Sequence, residues 1–249
     1  MKVNIFKTVQ ELLIAMADYF ISISQSSIAS RGQFNVALSG GSSPKRLYEM
    51  LASTDFKDQV EWNKINFFFG DERYVPDNDP GNNSLMVKKA LFDPLKIAPP
   101  KIFSINTSLS PEESATKYTS TIAKHFKGRK IQFDLILLGL GDNSHTASLF
   151  PNTSVLDDKS ASVKAVFVEE KKAFRITMTA PLINQAQHIA FLVYGKAKAN
   201  AVYNVLENDD DPKKFPARLI HPENGDLQWY LDESAASRLT KEFKRGTYS

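Results

Sequence analysis

An α/β fold with a mostly parallel sheet and helices on both faces is the class this sequence predicts. Apolar runs such as Phe133-Asp134-Leu135-Ile136-Leu137-Leu138, Ile65-Asn66-Phe67-Phe68-Phe69 and Ile189-Ala190-Phe191-Leu192-Val193-Tyr194 are nearly continuous rather than alternating. That is the pattern of strands covered on both faces. Between these runs lie segments with apolar residues at helical spacing, and strands that alternate with helices build parallel sheets through crossover connections. Three of the strands end in Ser39-Gly40, Gly70-Asp71 and Gly139-Leu140-Gly141. Ligands of open α/β sheets collect just beyond the carboxyl ends of strands, so polar groups are expected to converge on that edge.

Composition narrows the class further. The chain has 249 residues with 42% hydrophobic content, enough for a full core. No Pro/Gly/Ser-rich linker, repeat or low-complexity stretch divides it, so residues 1–249 are expected to form a single domain. A formal charge of +3 with 24% charged residues is a mild excess. There is no basic stripe interleaved with aromatics, which argues against a nucleic-acid partner. The basic Lys241-Glu242-Phe243-Lys244-Arg245 reads as a short solvated tail. With no cysteine, disulfides, thiol nucleophiles and Cys-based metal sites are excluded. Met1 to Thr8 has no apolar signal core and no stretch reads as a membrane span, so a cytoplasmic location without a membrane partner is expected.

Taken in order, Thr8-Val9-Gln10-Glu11 is a capping box, and Val9, Leu12, Leu13, Met16, Phe20 and Ile23 continue an amphipathic helix to about Ser24. Phe34 to Ser39 reads as the first sheet strand. Gly40-Gly41-Ser42-Ser43 follows, and Pro44 is expected at the first helical position. A loop of small residues between a strand and a helix start aims backbone N–H groups and the positive helix end at one spot, where phosphate binds readily. The pattern is common among βα turns and lacks the Gly-Lys-Ser/Thr of a Walker A loop.

Ile65 to Phe69 is the next strand, and Gly70-Asp71-Glu72-Arg73-Tyr74 lies at its end. The Arg73 fork suits a phosphate or an oxyanion; alternatively it pairs with Asp71 or Glu72. A turn-rich loop, Pro76 to Gly81, precedes a helix near Asn82 or Asn83. Ile102-Phe103-Ser104-Ile105 reads as a short strand. Ser110-Pro111-Glu112-Glu113 opens a helix to about Phe126, with His125 at its cation-favouring end. After the strand at Phe133 come Gly139, Gly141 and then His145. The latter either shuttles protons or merely caps the next helix. Val163 to Val168 and Phe174 to Thr179 read as strands, the latter with Arg175 and Thr177 on one face. Pro181 starts a short helix. His188 reads as structural. Lys198 sits in the first turn of a helix from Lys196 to Leu206, against the helix dipole, which hints at an anion nearby. Leu227 to Leu231 is the last strand, and Asp232 is expected to cap a terminal helix through Leu239.

Four stretches resemble the 6-phosphogluconolactonase family, in the superfamily of glucosamine-6-phosphate deaminase and ribose-5-phosphate isomerase. They are Leu38-Ser39-Gly40-Gly41-Ser42-Ser43-Pro44; Gly70-Asp71-Glu72-Arg73; Gly139-Leu140-Gly141 through His145-Thr146-Ala147-Ser148-Leu149-Phe150-Pro151; and Arg175-Ile176-Thr177-Met178-Thr179 with Pro181. Pro222-Glu223-Asn224-Gly225 through Trp229 is a weaker fifth. The resemblance implies a Rossmann-like fold of the phosphosugar isomerase/deaminase type and hydrolysis of 6-phospho-D-glucono-1,5-lactone without metal or cofactor. It implies His145 as base, with Arg73 and Asn143 in the catalytic set. Gly40, Gly41, Ser42, Ser43, Arg73, Arg175 and Lys198 would hold the phosphate. The implied partner is the small phosphosugar lactone, and the implied state a monomer or weak homodimer. The deaminases follow this histidine with Ala-Phe-Asn-Glu-Pro, and no glutamate stands there in this chain. Where the family has Asp-Gly before the histidine, this chain has Asn143-Ser144. Asn143 can accept a hydrogen bond but carries no charge, Asp142 stands one residue earlier, and Ser144 is expected to need a backbone that tolerates a Cβ. A deaminase or isomerase using Asp71, Glu72 or Asp142 as base, and a phosphosugar-binding protein without catalysis, are the alternatives.

Overall fold

In a computed structural model, which describes residues 1–208, 211–222 and 224–240, two sheets organise the chain. The basic tail at Lys241 to Arg245 and Glu223 lie outside the described residues. The larger sheet holds β1 (Lys2–Phe6), β2 (Phe34–Leu38), β3 (Ile65–Phe69), β5 (Leu135–Leu138), β8 (His188–Val193) and β9 (Asp226–Asp232) in the order β1-β9-β8-β5-β2-β3, with every pair parallel. The continuous apolar runs have their physical reason here: every residue of β2, β3 and β5 is buried. The helices are α1 (Val9–Arg31), α2 (Ser42–Leu51), α3 (Asn83–Val87), α4 (Asp93–Leu95), α5 (Pro111–His125), α6 (Ala180–Ile183) and α7 (Ala199–Leu206).

The second sheet is antiparallel, in the order β4 (Asp71–Arg73), β7 (Ala173–Met178), β6 (Val163–Val168). It departs from the main sheet at Gly70, whose N–H still bonds the Leu38 carbonyl while its own carbonyl accepts from Met178. The chain thus leaves the carboxyl end of β3 and at once builds a wall above it. Buried apolar residues from both sheets belong to one cluster.

The strand order fixes where a ligand fits. From β2 the chain moves outward to β3, then returns across β2 to β5 and continues to β8 and β9 on the other side. The connections after β2 and β5 therefore diverge, and a crevice opens between them at the carboxyl edge.

Several elements differ from the sequence reading. Lys2–Phe6 is an edge strand that pairs with β9; only Val3 of it is buried, so it carries too little pattern to be read. The first helix runs past Ser24 to Arg31 because its serines turn their hydroxyls inward, Ser24 to the Ile21 carbonyl and Ser30 to that of Ser26. That length changes the membrane expectation: α1, at 23 residues and mean hydropathy 1.3, is long and apolar enough to cross a bilayer. Here Leu12, Leu13, Met16, Ala17 and Phe20 are buried against the protein's own core. Ile102 makes only an isolated bridge to Phe67, not a strand. Residues 233–239 form turns instead of a helix, since the Asp232 carboxylate accepts from both Ala235 and Gly195 and ties this segment to β8's end. Lys196–Lys198 is a 3-10 turn ahead of α7. His125 is held neutral by burial rather than charged by the helix end, and its Nε2 meets Asn35 Oδ1 at 2.7 Å.

Candidate active site

The loops after β2, β3 and β5 meet with β7 around one cleft of about 320 Å³. Gly40, Gly41, Ser42, Ser43, Arg73, His145, Arg175 and Lys198 all line it, so residues read from five separate stretches share one space. Asn143 stands behind His145 instead of on the cleft wall. Lys171 and Ser148 also line the cleft without standing in the predicted site, and so does Asp71, which the sequence offers only as the base of the deaminase or isomerase alternative. Lys171 sits in the charged run Glu169-Glu170-Lys171-Lys172, which by sequence is a solvated turn between strands. Only the antiparallel pairing of β6 with β7 turns it toward the cleft.

The start of α2 lines the cleft. Gly41 adopts φ +106°, a conformation closed to residues with a Cβ, and the helix begins at Ser42, two residues before Pro44. Pro44 thus sits at the third helical position. No side chain caps this end, so the N–H groups of the first turn remain available to an anion. Arg73 and Arg175, which also line the cleft, are directly opposed across the β4–β7 ladder. Two like charges opposite one another are unfavourable, and burial, with the Arg73 charge adding to it, lowers the Arg175 pKa. Neither guanidinium forms an ion pair among the described residues. Arg73 Nη1 donates to the Gly81 carbonyl at 2.7 Å and Arg175 Nη1 to that of Phe174 at 3.0 Å.

The carboxylates nearby are already engaged. Asp71 accepts from Ser148 Oγ at 2.6 Å in full burial, which raises its pKa. Glu72 does not grip Arg73's guanidinium. Its oxygens accept the backbone N–H groups of Asn83 at 2.6 Å, Ser84 at 2.9 Å and Arg73 at 2.8 Å, pinning the start of α3. Burial nevertheless pushes its pKa up to about 7. Asp142 is likewise occupied, at 2.6 Å from Lys198 Nζ.

His145 lines the same cleft. Its ring stacks on Phe150 with centroids 3.9 Å apart and covers Gly141, where a Cβ would come within 2.0 Å of the imidazole. Burial lowers its pKa to about 4, so the ring is neutral near pH 7. Asn143 Oδ1 lies 2.5 Å from Nδ1 and 3.2 Å from the His145 N–H. An amide oxygen accepts only, so Nδ1 carries the proton and Nε2 keeps its lone pair. Nε2 has no protein partner among the described residues. His145 caps no helix; the segment after it runs through turns.

Ser144 corrects an expectation. Its backbone is left-handed at φ +63°, the conformation that favours glycine, and Ala147 on the other side of His145 is left-handed as well at φ +47°. Ser144 keeps the glycine-type turn with a Cβ in place, its carbonyl accepting from Ala217 at 2.9 Å. Ser144→Gly removes about 1–2 kcal/mol of left-handed strain and gives back about 0.4–1 kcal/mol through a looser unfolded chain. Thermal melts should therefore show the variant as stable as the parent or slightly more so. A large drop would mean that the hydroxyl, 3.4 Å from the Ala201 carbonyl, does more than its distance suggests.

A family model described as glucosamine-6-phosphate isomerases/6-phosphogluconolactonase matches residues 7–229. The chain belongs to that family. Among curated members, a 6-phosphogluconolactonase of Synechocystis is 42% identical, over 85% of this chain and 87% of the relative. A probable 6-phosphogluconolactonase 1 of Arabidopsis thaliana is 35% identical, over 96% of this chain and 94% of the relative. Among solved structures, the 6-phosphogluconolactonase from Trypanosoma cruzi superposes with a TM-score of 0.84 at 27% identity, covering 96% of this chain and 97% of that one. The family's fold, a largely parallel sheet with flanking helices, is the one the sequence predicts.

Proposed function

We propose that this chain hydrolyses 6-phospho-D-glucono-1,5-lactone to 6-phospho-D-gluconate. The observation that carries the proposal is what a single cleft brings together: opposed arginines with no ion pair among the described residues, an uncapped helix start, and a neutral imidazole whose Nε2 has no protein partner among them. A phosphosugar lactone has the matching groups, a dianion at C6 and an electrophilic carbonyl at C1. The phosphate is held by the N–H groups and hydroxyls of Ser42 and Ser43 together with Arg175, Lys198 and Arg73. Its binding energy orients the remote carbonyl without entering the reaction. His145 Nε2 takes a proton from water as the water oxygen bonds to C1. The tetrahedral intermediate expels the ring oxygen, which receives that proton from His145, leaving the acid. Asn143 holds Nδ1–H throughout, fixing the tautomer. Lys171, a cleft-lining cation whose charge acts on the His145 ring, offsets charge on the carbonyl oxygen.

The experiment generates fresh lactone in situ and follows acid release with and without protein. Release no faster than the spontaneous rate would leave a phosphosugar-binding protein. Ammonia from glucosamine 6-phosphate would instead support the deaminase reading, for which Asp71 is the one cleft-lining carboxylate.

The pH profile follows from the imidazole. Protonated His145 accepts no proton, so kcat/KM falls as pH drops through its pKa, which burial has moved down to about 4. Rates at constant ionic strength should be level from about pH 6 to 8 and decline only in acid. A half-point at the ordinary histidine value of about 6.5 would point to a solvated titrating ring.

A further inference from the structure

Asn143 is held from both sides. Its Oδ1 faces His145, and its Nδ2 donates to Glu170 Oε2 at 3.2 Å. Glu170 belongs to the turn between β6 and β7, far from the histidine loop in sequence, and it reaches the site only because the small sheet folds over the cleft. We infer that Glu170 is a positioning residue of the reaction: its carboxylate, acting through the Asn143 amide, supplies the negative charge that an aspartate at position 143 would carry itself. This rests on the reading of His145 as the base.

The chemistry runs along three groups. Asn143 Oδ1 accepts two N–H bonds, from Nδ1 and from the backbone of His145, and so gives up electron density twice. A carboxylate on the amide nitrogen pushes density the same way these bonds draw it, from nitrogen toward Oδ1, so the bonds reinforce one another and the hold on Nδ1–H strengthens. The same bond prevents the amide from flipping, which would turn an NH2 toward Nδ1 and shift the imidazole to the wrong tautomer. When Nε2 takes a proton from water, the imidazolium sits near a carboxylate instead of near a neutral amide alone. The charged groups acting on the ring are Glu170 and Lys171 from this turn, Lys198 from the turn before α7, and Asp142 from its own loop. Lys198 and Asp142 pair with each other at 2.6 Å, and Lys171 approaches Glu170 at 3.3 Å. Glu170 is therefore the carboxylate that faces the ring through a hydrogen-bonded path.

The test is a cycle of four proteins: parent, Glu170→Gln, Asn143→Asp and the double variant, assayed on fresh lactone, with His145→Gln as a fifth. Glu170→Gln should lower kcat about fivefold, the worth of one partly exposed charged hydrogen bond. KM should stay within a factor of two, and the acid half-point of the profile should move down, since the charge that favours the imidazolium is gone. Asn143→Asp should restore kcat in the Glu170→Gln background and move the half-point up. Glu170 would then have no effect once position 143 carries its own charge. Equal losses from Glu170→Gln in both backgrounds, or an unmoved half-point, would overturn the proposal by showing a role in fold stability only. Full activity of His145→Gln would instead sink the reading of His145 as base, so the two failures are distinguishable.

Discussion

Replacing His145 with alanine should lower kcat by roughly 10²–10⁴ while KM changes little. The direction follows from where the ring sits. Its Nε2 meets no protein group among the described residues, while Nδ1 is committed to Asn143, so the ring's one free function is to accept a proton from something in the cleft. The proposed phosphate site uses other residues, the α2 start and the two arginines, so substrate should still bind and be oriented. Residual acceleration over the spontaneous reaction is expected from that positioning. Alanine also removes the ring that stacks on Phe150 and covers Gly141, so folding must be checked independently. His145→Gln serves here, since it fills part of the space but offers no basic nitrogen. Melting temperatures near the parent's, together with the kcat loss in both variants, would assign the loss to proton transfer. Turnover within threefold of the parent in either folded variant would remove His145 from the mechanism.

The parts of the site legible in the sequence are those set by strand ends. Apolar strands running into Ser39-Gly40, Gly70-Asp71 and Gly139-Leu140-Gly141 place the following residues on one edge by topology alone, and Ser42, Arg73 and His145 do line one cleft. What strand ends do not reveal is partnership. Glu72 lies beside Arg73 in sequence, yet its carboxylate turns away to three backbone N–H groups, because the Asn82 cap of α3 takes only the Leu85 N–H and leaves those of Asn83 and Ser84 needing an acceptor. Asp142 looked free to serve His145 and is instead held by Lys198. Glu170 sits in a charged turn with no pattern at all. Its position depends on β4, a three-residue strand too short to read, pairing with β7. Ser144 shows the opposite limit: the serine suggested an ordinary backbone, but the tight turn under His145, closed by the Ser144 N–H to the Gly141 carbonyl at 2.9 Å, imposes the left-handed conformation on whatever residue stands there.

The opposed arginines give the second large effect, with a signature in stability as well as affinity. Arg175→Met keeps most of the aliphatic stem and removes the charge. If the guanidinium holds the substrate phosphate, it contributes about 1.5–3 kcal/mol of charged hydrogen bonding. KM should then rise about 10- to 100-fold, with kcat changing much less, because the phosphate is remote from the reacting carbon. Without ligand, the same substitution removes a like-charge contact with Arg73 across the ladder, worth a few tenths to about 1 kcal/mol, so the melting temperature should hold or rise. Inorganic phosphate should stabilise the parent with the logarithm of its concentration above the dissociation constant, about 2.7 kcal/mol at a hundred times that constant, and the variant much less. Arg73→Met is the contrasting case. Its Nη1 also ties down the Gly81 carbonyl at 2.7 Å, so it should lose stability along with affinity. A pair of arginines serving only the fold would behave otherwise: Arg175→Met would melt lower, keep its KM, and respond to phosphate as the parent does.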